Sequence, residues 1–165
     1  MQEKREIKDI VLELLKAFDI KEEEVLANTP KRVSKALMEL WRGLIEPPPK
    51  LAFFPAKKGM TIIVEDISFN STCEHHLMPF FGTCKITLKS NGTTLGLSKF
   101  NRIVQYFASK PTIQEKMAQE IHDFLKEHLK PEYLEIEIKA KHTCVSHRGI
   151  KDACSNTIVV IESFS

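Results

Sequence analysis

Residues 133–144 read YLEIEIKAKHTC, and this stretch decides how the rest of the chain is interpreted. Its apolar residues stand at every second position and alternate with glutamates and lysines: Leu134, Ile136, Ile138 and Ala140. Because successive side chains of a strand point to opposite faces, this pattern predicts a β-strand with one face in the core and one in water. The strand leads directly to His142 and Cys144, whose side chains can bind metals or move protons.

Further strands are predicted on both sides of this stretch. Residues 60–69, 84–90 and 156–162 are rich in the β-branched and aromatic residues that favour strands. Apolar residues recur at helical spacing in two segments between the second and third of the four strands, one capped by Ser98 and one beginning at Pro111. This order predicts an α+β fold, with an antiparallel four-stranded sheet and two helices on one of its faces.

A helical region precedes the sheet. Residues 5–18 have apolar residues at helical spacing, and a second helix is predicted to begin at Thr29-Pro30, where threonine can cap and proline suits the first helical position. The prolines at 47–49 force an extended connector. We therefore expect an N-terminal helical region at 1–46, a connector at 47–58 and a sheet-containing domain at 59–165.

Length and charge exclude several classes of protein. The chain has 165 residues and a formal net charge of +2, which is too small to indicate binding to nucleic acid. It contains no apolar run long enough to span a bilayer, and its charged N-terminal helix does not resemble a signal peptide. We expect a cytoplasmic protein whose four cysteines are reduced or metal-bound rather than cross-linked.

Two separated segments carry the residues of a candidate metal site. Cys73 and His76 lie three residues apart in a predicted turn, and Cys144 follows the clearest strand. Zinc is bound by cysteine sulfur and histidine nitrogen, and a catalytic zinc site uses three protein ligands with one position left for water. His75 and His142 would then remain beside the metal to move protons. Alternatively, Cys73 is a small buried hydrophobic residue and the two adjacent histidines belong to a polar turn.

Other polar residues indicate an anionic ligand. Ser98, Lys99 and Arg102 fall at the predicted start of a helix, where backbone N–H groups and neighbouring cations favour anions. Each of these cations also fits a solvated surface, and so does Arg148. Glu115 falls in the first turn of a helix, where the helix dipole alone favours a carboxylate; a functional interpretation has it accept from the N–H groups of a guanine edge.

Taken together, these segments closely resemble the GTP cyclohydrolase I family from about residue 28 to residue 160. The matching motifs are Ser71-Thr72-Cys73-Glu74-His75-His76 with Pro79-Phe80 and Gly82, Gly96-Leu97-Ser98-Lys99-Phe100-Asn101-Arg102-Ile103-Val104, Gln114-Glu115-Lys116, His142-Thr143-Cys144 with Arg148-Gly149-Ile150, and Thr29-Pro30-Lys31-Arg32-Val33.

The resemblance implies a tunnelling fold, in which copies of the chain assemble into a barrel and, in this family, into a toroidal homodecamer with active sites between subunits. It also implies the hydrolysis of GTP to formate and 7,8-dihydroneopterin triphosphate, as the first step of a pterin or folate type of biosynthesis. In that reaction, water activated by zinc attacks C8 of guanine while histidine supplies acid and base catalysis.

The roles that the resemblance implies are carried over motif by motif. Cys73, His76 and Cys144 resemble the zinc ligands, and His75 and His142 resemble the proton-transfer residues, with Ser98 assisting a late acid–base step. Gln114 and Glu115 resemble the guanine-anchoring pair. The triphosphate would be held by a set of polar and basic residues, two of them from a neighbouring subunit: Ser98, Lys99, Arg102 and Arg148, with Arg32 and Lys35 from the neighbour.

Two other classes of function remain open from the sequence. A structural zinc module or regulatory homologue would close the metal site with a fourth ligand, such as His142 or His75. A related tunnelling-fold enzyme would act on a pterin or a deazaguanine, since such enzymes can share the purine-anchoring glutamate. The cations around Ser98 and Arg148 favour a triphosphate substrate.

Overall fold

The computed structural model describes residues 6–164. The chain divides into two compact units, and the division falls between Trp41 and Arg42.

The first unit consists of helices α1 (Ile7–Ala17) and α2 (Glu23–Leu40), which pack against each other. The prediction that the second helix begins at Thr29-Pro30 is wrong, because α2 begins six residues earlier and Pro30 lies inside it. Glu23 and Glu24 occupy the first turn, where carboxylates interact favourably with the helix dipole. Pro30 is buried, so its ring contributes packing that offsets the backbone hydrogen bond it cannot donate.

The second unit begins with a short 3-10 helix (Arg42–Leu44). Its long elements then follow in the order strand, strand, helix, helix, strand, strand. The elements are β1 (Phe53–Pro55), β2 (Thr61–Cys73), β3 (Pro79–Lys89), β4 (Thr93–Leu95), α3 (Leu97–Ala108), β5 (Pro111–Thr112), α4 (Gln114–Leu129), β6 (Tyr133–His142), α5 (Thr143–Ser146) and β7 (Thr157–Phe164). The mixed α+β class predicted from the sequence is confirmed.

The main sheet has five strands in the order β5-β2-β3-β6-β7, and β1 pairs with β4 in a separate two-stranded sheet. The four long strands are antiparallel, as predicted. The fifth strand was not predicted. Pro111 does not begin a helix; instead Pro111–Thr112 pairs in parallel with the end of β2, and α4 begins at Gln114.

The core lies between the sheet and helices α3 and α4. The apolar residues of β6 are at most 1% exposed and face the helices, while the charged residues between them face away. The helices contribute side chains with no exposed surface, each stabilising the fold by about 1.5–3 kcal/mol; they are Phe100, Ile103, Met117, Ile121 and Leu125.

The β2–β3 hairpin is longer than its composition predicts. β2 continues past residue 69 to Cys73, and β3 begins at Pro79 rather than at residue 84. Ser71 and Thr72 are polar but buried, because they pair with the start of β3. The hairpin therefore extends to the edge of the sheet where β6 ends.

Gly82 provides a test of the pairing between β3 and β6. It stands opposite Ala140, and a Cβ at this position would overlap the backbone carbonyl oxygen of Lys139. We expect Gly82→Ala to lower the free energy of unfolding by about 3 kcal/mol, because the two strands cannot separate without breaking the core. Gly92→Ala is the matched control, since its Cβ meets nothing within 4 Å and only its positive φ is strained, costing about 1 kcal/mol. Equal losses for the two variants in urea unfolding would contradict the close approach.

Candidate active site and metal centre

Three potential metal ligands converge at the edge of the sheet where β2 and β6 end. The ligand atoms of Cys73, His76 and Cys144 all lie within 4.8 Å of one another. Cys73 is buried, Cys144 is half-buried and His76 is exposed, so the group opens from the core towards solvent. These are the three residues that the sequence indicated as metal ligands.

A tight turn places His76 over Cys73. The carbonyl oxygen of Cys73 accepts from the backbone N–H groups of His76 (3.3 Å) and Leu77 (2.8 Å), and Leu77 adopts a left-handed φ of 52°. The backbone N–H of Glu74 donates to the carbonyl of Thr112 (3.0 Å), which ties the turn to β5. The unpredicted fifth strand therefore holds the turn that carries two of the three ligands.

Cys144 reaches the centre from a helical turn. β6 ends at His142, and Thr143–Ser146 form one turn of helix, so His142 and Cys144 do not belong to a single strand. The buried hydroxyl of Thr143 donates to the carbonyl of Pro79 and fixes this turn against the start of β3. The helical turn directs the side chain of Cys144 towards Cys73. The alternation of side chains along a strand would not by itself explain this direction.

The donor set fits a zinc ion. Sγ of Cys73 lies 3.6 Å from Nδ1 of His76. In a tetrahedral site with Zn–S of about 2.3 Å and Zn–N of about 2.0 Å, the two donor atoms lie about 3.5 Å apart. Burial raises the pKa of the Cys144 thiol, and the nearby Cys73 raises it further. A divalent cation would offset both effects, because it stabilises the thiolate forms.

Arg148 contacts the same centre. Its guanidinium donates from Nη2 to Nε2 of His76 at 2.7 Å. Because a neutral imidazole has one lone pair, zinc binding at Nδ1 of His76 would place hydrogen on Nε2 and require this hydrogen bond from Arg148 to open. Arg148 is therefore the predicted cation that the structure places directly at the ligand group.

A pocket of about 270 Å³ opens beside the ligands. It brings together the three candidate ligands, both predicted proton-transfer histidines and both residues of the predicted guanine-anchoring pair: Cys73, His75, His76, Gln114, Glu115, His142 and Cys144, with Phe80, Thr112 and Ile113.

His142 is held on two sides. Its ring stacks on Phe80 with centroids 4.9 Å apart and planes 7° apart, and its Nε2 lies 2.8 Å from Oε1 of Gln114. Burial lowers the pKa of His142, and the negative charge of Glu115 opposes that effect. Phe80 had appeared only as part of a motif; its pairing with His142 across β3 and β6 is the signal that reveals its role.

Gln114 and Glu115 begin α4 but point in different directions. Glu115 is exposed at the pocket, whereas Gln114 is only 1% exposed and its amide nitrogen donates to the carbonyls of Ile138 (2.8 Å) and Thr157 (3.1 Å). The side chain of Gln114 is thus fixed between α4 and two strands.

Three further predicted phosphate ligands of the second unit do not line this pocket. Ser98, Lys99 and Arg102 lie in the first turns of α3, and Arg102 lines a separate depression with Arg42 and Tyr106. Arg32 and Lys35 are exposed on α2, and Arg32 pairs with Glu24 at 3.1 Å. Within one chain, the structure therefore joins the metal, histidine and glutamate groups but not the cation set around Ser98.

Among residues 6–164, no helix is both long and apolar enough to cross a membrane.

Comparison with known proteins gives consistent results. The family model described as GTP cyclohydrolase I matches residues 7–163. A GTP cyclohydrolase 1 of Streptococcus mutans is 38% identical over 162 residues, covering 96% of this chain and 84% of that protein. Proteins of the same name from Clostridium kluyveri and Streptococcus suis are 36% and 34% identical, covering 96% and 98% of this chain and 87% and 88% of theirs.

A solved structure shares the fold. The apo form of an archaeosine synthase QueF-Like superposes with a TM-score of 0.53 at 17% identity, covering 65% of this chain and 96% of that one. This likeness supports the mixed α+β architecture alone, since the identity is low. The family match over nearly the whole length, together with the ligand group in the predicted positions, shows that the chain belongs to the GTP cyclohydrolase I family.

Proposed function

We propose that this chain hydrolyses GTP to formate and 7,8-dihydroneopterin triphosphate in the pocket between β2, β6 and the start of α4. The observation that carries this proposal is the convergence of two cysteines and a histidine beside a fixed imidazole and an exposed carboxylate, in a member of this family. The two cysteines and the histidine suit a hydrolytic metal, the fixed imidazole suits proton transfer, and the carboxylate suits hydrogen bonds with a guanine edge.

Cys73, His76 and Cys144 would hold zinc. When bound, zinc supplies Lewis acidity that lowers the pKa of a coordinated water towards about 7. A structural site would need a fourth protein ligand, but His142 is not part of the group of potential ligands that converges in the structure. This arrangement favours a catalytic site over a structural zinc module.

His142 and His75 would move the protons of the reaction. Attack at C8 of guanine requires a proton at N7, and loss of formate requires further transfers; an imidazole suits both because it accepts and donates near neutral pH. His142 lines the pocket in a fixed orientation, while His75 is exposed in the turn that carries His76. We also assign a late acid–base step to Ser98, because Ser98 lies in a motif that the chain shares with the family.

The carboxylate of Glu115 would accept hydrogen bonds from the guanine edge. It is exposed, lies in the first turn of α4 and lines the same pocket as the candidate ligands. A carboxylate accepts two N–H groups of a planar base, which fixes the base by geometry as well as by charge.

The triphosphate would bind residues from more than one subunit. Arg148 lies at the ligand group, but Ser98, Lys99 and Arg102 of the same unit do not line this pocket within the chain, and Arg32 and Lys35 belong to α2 of the first unit. We propose that they complete the site of a neighbouring copy. The triphosphate is not cleaved, so these cations would supply binding energy and orientation.

The edge strand β7 supports a homo-oligomer. Its side chains Ile158, Val160 and Phe164 are 55%, 51% and 74% exposed, and its outer backbone edge is unpaired within the described residues. An open edge with apolar side chains is a surface that proteins normally cover. We propose that copies of the chain cover this edge in the tunnelling assembly that the resemblance implies, which is a homodecamer.

The cytoplasmic location stays a prediction.

A pterin or deazaguanine substrate is less well supported. The likeness to the archaeosine synthase QueF-Like is one of fold at 17% identity, whereas the relatives named GTP cyclohydrolase 1 reach 38%.

The first prediction tests the metal and the reaction together. Incubation with GTP and zinc should yield formate and a pterin that fluoresces after oxidation. Cys144→Ala should bind zinc more than about 100-fold more weakly, since loss of outer-shell partners alone costs about 10- to 100-fold, and turnover should disappear with the metal. Cys154→Ala is the matched control, because Cys154 is exposed and outside the ligand group. Full zinc content and turnover in Cys144→Ala would remove this residue from the metal site.

The second prediction separates a proton-transfer residue from a fourth ligand. His142→Ala should retain its zinc but form dihydroneopterin triphosphate about 10²- to 10⁴-fold more slowly, the usual contribution of a general acid or base. Slow release of formate is still expected, because His75 lies in the same pocket. Zinc content, formate and pterin yield should be measured on one preparation. Loss of zinc on this single change would assign His142 to the metal shell and favour the structural module.

The third prediction concerns guanine recognition. Glu115→Gln should raise the KM for GTP by about tenfold or more, because guanine donors would lose a charged acceptor. Its zinc content should not change. Glu127→Gln, an exposed glutamate near the other end of α4, should leave KM unchanged. If the two variants have the same KM, Glu115 is only a residue that favours the start of the helix.

A further inference from the structure

Gln114 connects three elements through one buried side chain. From the first position of α4 it donates to the carbonyl of Ile138 on β6 (2.8 Å) and to that of Thr157 on β7 (3.1 Å). Its Oε1 lies 2.8 Å from Nε2 of His142, where β6 ends. With 1% of its surface exposed, Gln114 has little contact with solvent and little room to move.

These contacts determine which way the amide points. A backbone carbonyl can only accept, so the two carbonyls must face the NH₂ group of Gln114. The amide oxygen is then the atom that faces His142. Reversing the amide would place its oxygen against the two carbonyl oxygens, and two acceptors facing each other beside a buried side chain are costly.

The orientation of the amide in turn determines the protonation of His142. Because the amide oxygen is an acceptor, Nε2 of His142 must carry a hydrogen. In the neutral ring, Nδ1 then holds the only lone pair. Stacking on Phe80, which has no exposed surface, fixes the plane of the ring.

We propose that Gln114 is a positioning residue that fixes the tautomer of His142, so that every proton His142 accepts or releases passes through Nδ1. This inference rests on the proposed role of His142 in proton transfer. It gives Gln114 a role different from the guanine contact that the family motif implied, since both amide hydrogens and the amide oxygen are already engaged within the protein.

The two roles make different kinetic predictions. A residue that contacts guanine contributes mainly to KM, whereas a residue that presets the acid–base tautomer contributes to kcat. Adjacent Glu115 is the reference for a residue that contacts guanine. Gln119 is a matched control on the same helix, because it is exposed and its amide donates to the exposed side chain of Asp123.

The direct test is the tautomer of His142 in the zinc-loaded protein with its natural sequence. The protein is labelled with ¹⁵N-histidine, and the signal of His142 is identified by its absence in His142→Ala. We expect Nε2 to carry hydrogen and Nδ1 to carry the lone pair, with both tautomers populated in Gln114→Met. Hydrogen on Nδ1 in the natural protein would overturn the inference, and this result does not depend on whether any Gln114 variant folds.

Kinetics supply the second test. Gln114→Met should lower kcat by about tenfold or more, the effect of losing the hydrogen bond to His142, with KM for GTP and zinc content unchanged. Gln119→Met should leave both constants unchanged. Combining Gln114→Met with His142→Ala should lower kcat no further than His142→Ala alone, because Gln114 acts through the imidazole. A raised KM with unchanged kcat, as expected for Glu115→Gln, would return Gln114 to the guanine site.

The outcomes also separate this inference from the proposed function. If His142→Ala retains full kcat, the proposed proton-transfer role fails. If His142→Ala loses turnover while Gln114→Met retains kcat, only the positioning role of Gln114 fails.

Discussion

The antiparallel register between β3 and β6 is the constraint on which the site depends. Ten residue pairs run from Phe80 opposite His142 to Lys89 opposite Tyr133. Because side chains alternate between faces, a slip of one residue would turn His142 away from the pocket. The core prevents such a slip: Ile136 and Ile138 are fully buried on the helix side, and Gly82 allows the close approach opposite Ala140. The packing that stabilises the domain therefore also sets the position of its imidazole.

The fold was predictable where local pattern and burial agree. The alternation at residues 133–142 reproduces β6, because a half-buried strand has the same period of two in sequence and in structure. The end of β2 was missed because Ser71 and Thr72 are polar. They belong to the strand because they pair with Phe80 and Pro79 across the hairpin, and composition does not report such pairing. The start of α2 was also predicted wrongly. Thr29-Pro30 is a local signal for a helix start, but Pro30 is buried inside α2, and this packing overrides the local signal.

The candidate site was predictable in residue type more than in geometry. Ligand chemistry and motifs indicated Cys73, His76 and Cys144, and their side chains do converge. The helical turn that directs Cys144 has no such signal, because it depends on a hydrogen bond from Thr143 to a distant carbonyl. Adjacent residues in a helix point about 100° apart. Glu115 and Gln114 therefore face the pocket and the interior respectively, although one motif contains both.

The two histidines proposed to move protons differ in how firmly they are held. His142 is half-buried, stacked on Phe80 and engaged at Nε2, so one nitrogen in one orientation is left for chemistry. His75 is exposed, and its nearest described ring contact is an edge-on one with His76 at 6.2 Å. A fixed imidazole suits transfer to a defined atom of the base, because the geometry is set before the substrate arrives. An exposed imidazole exchanges protons with water readily. In the proposed reaction this difference assigns the directed transfer to His142 and the exchange with solvent to His75.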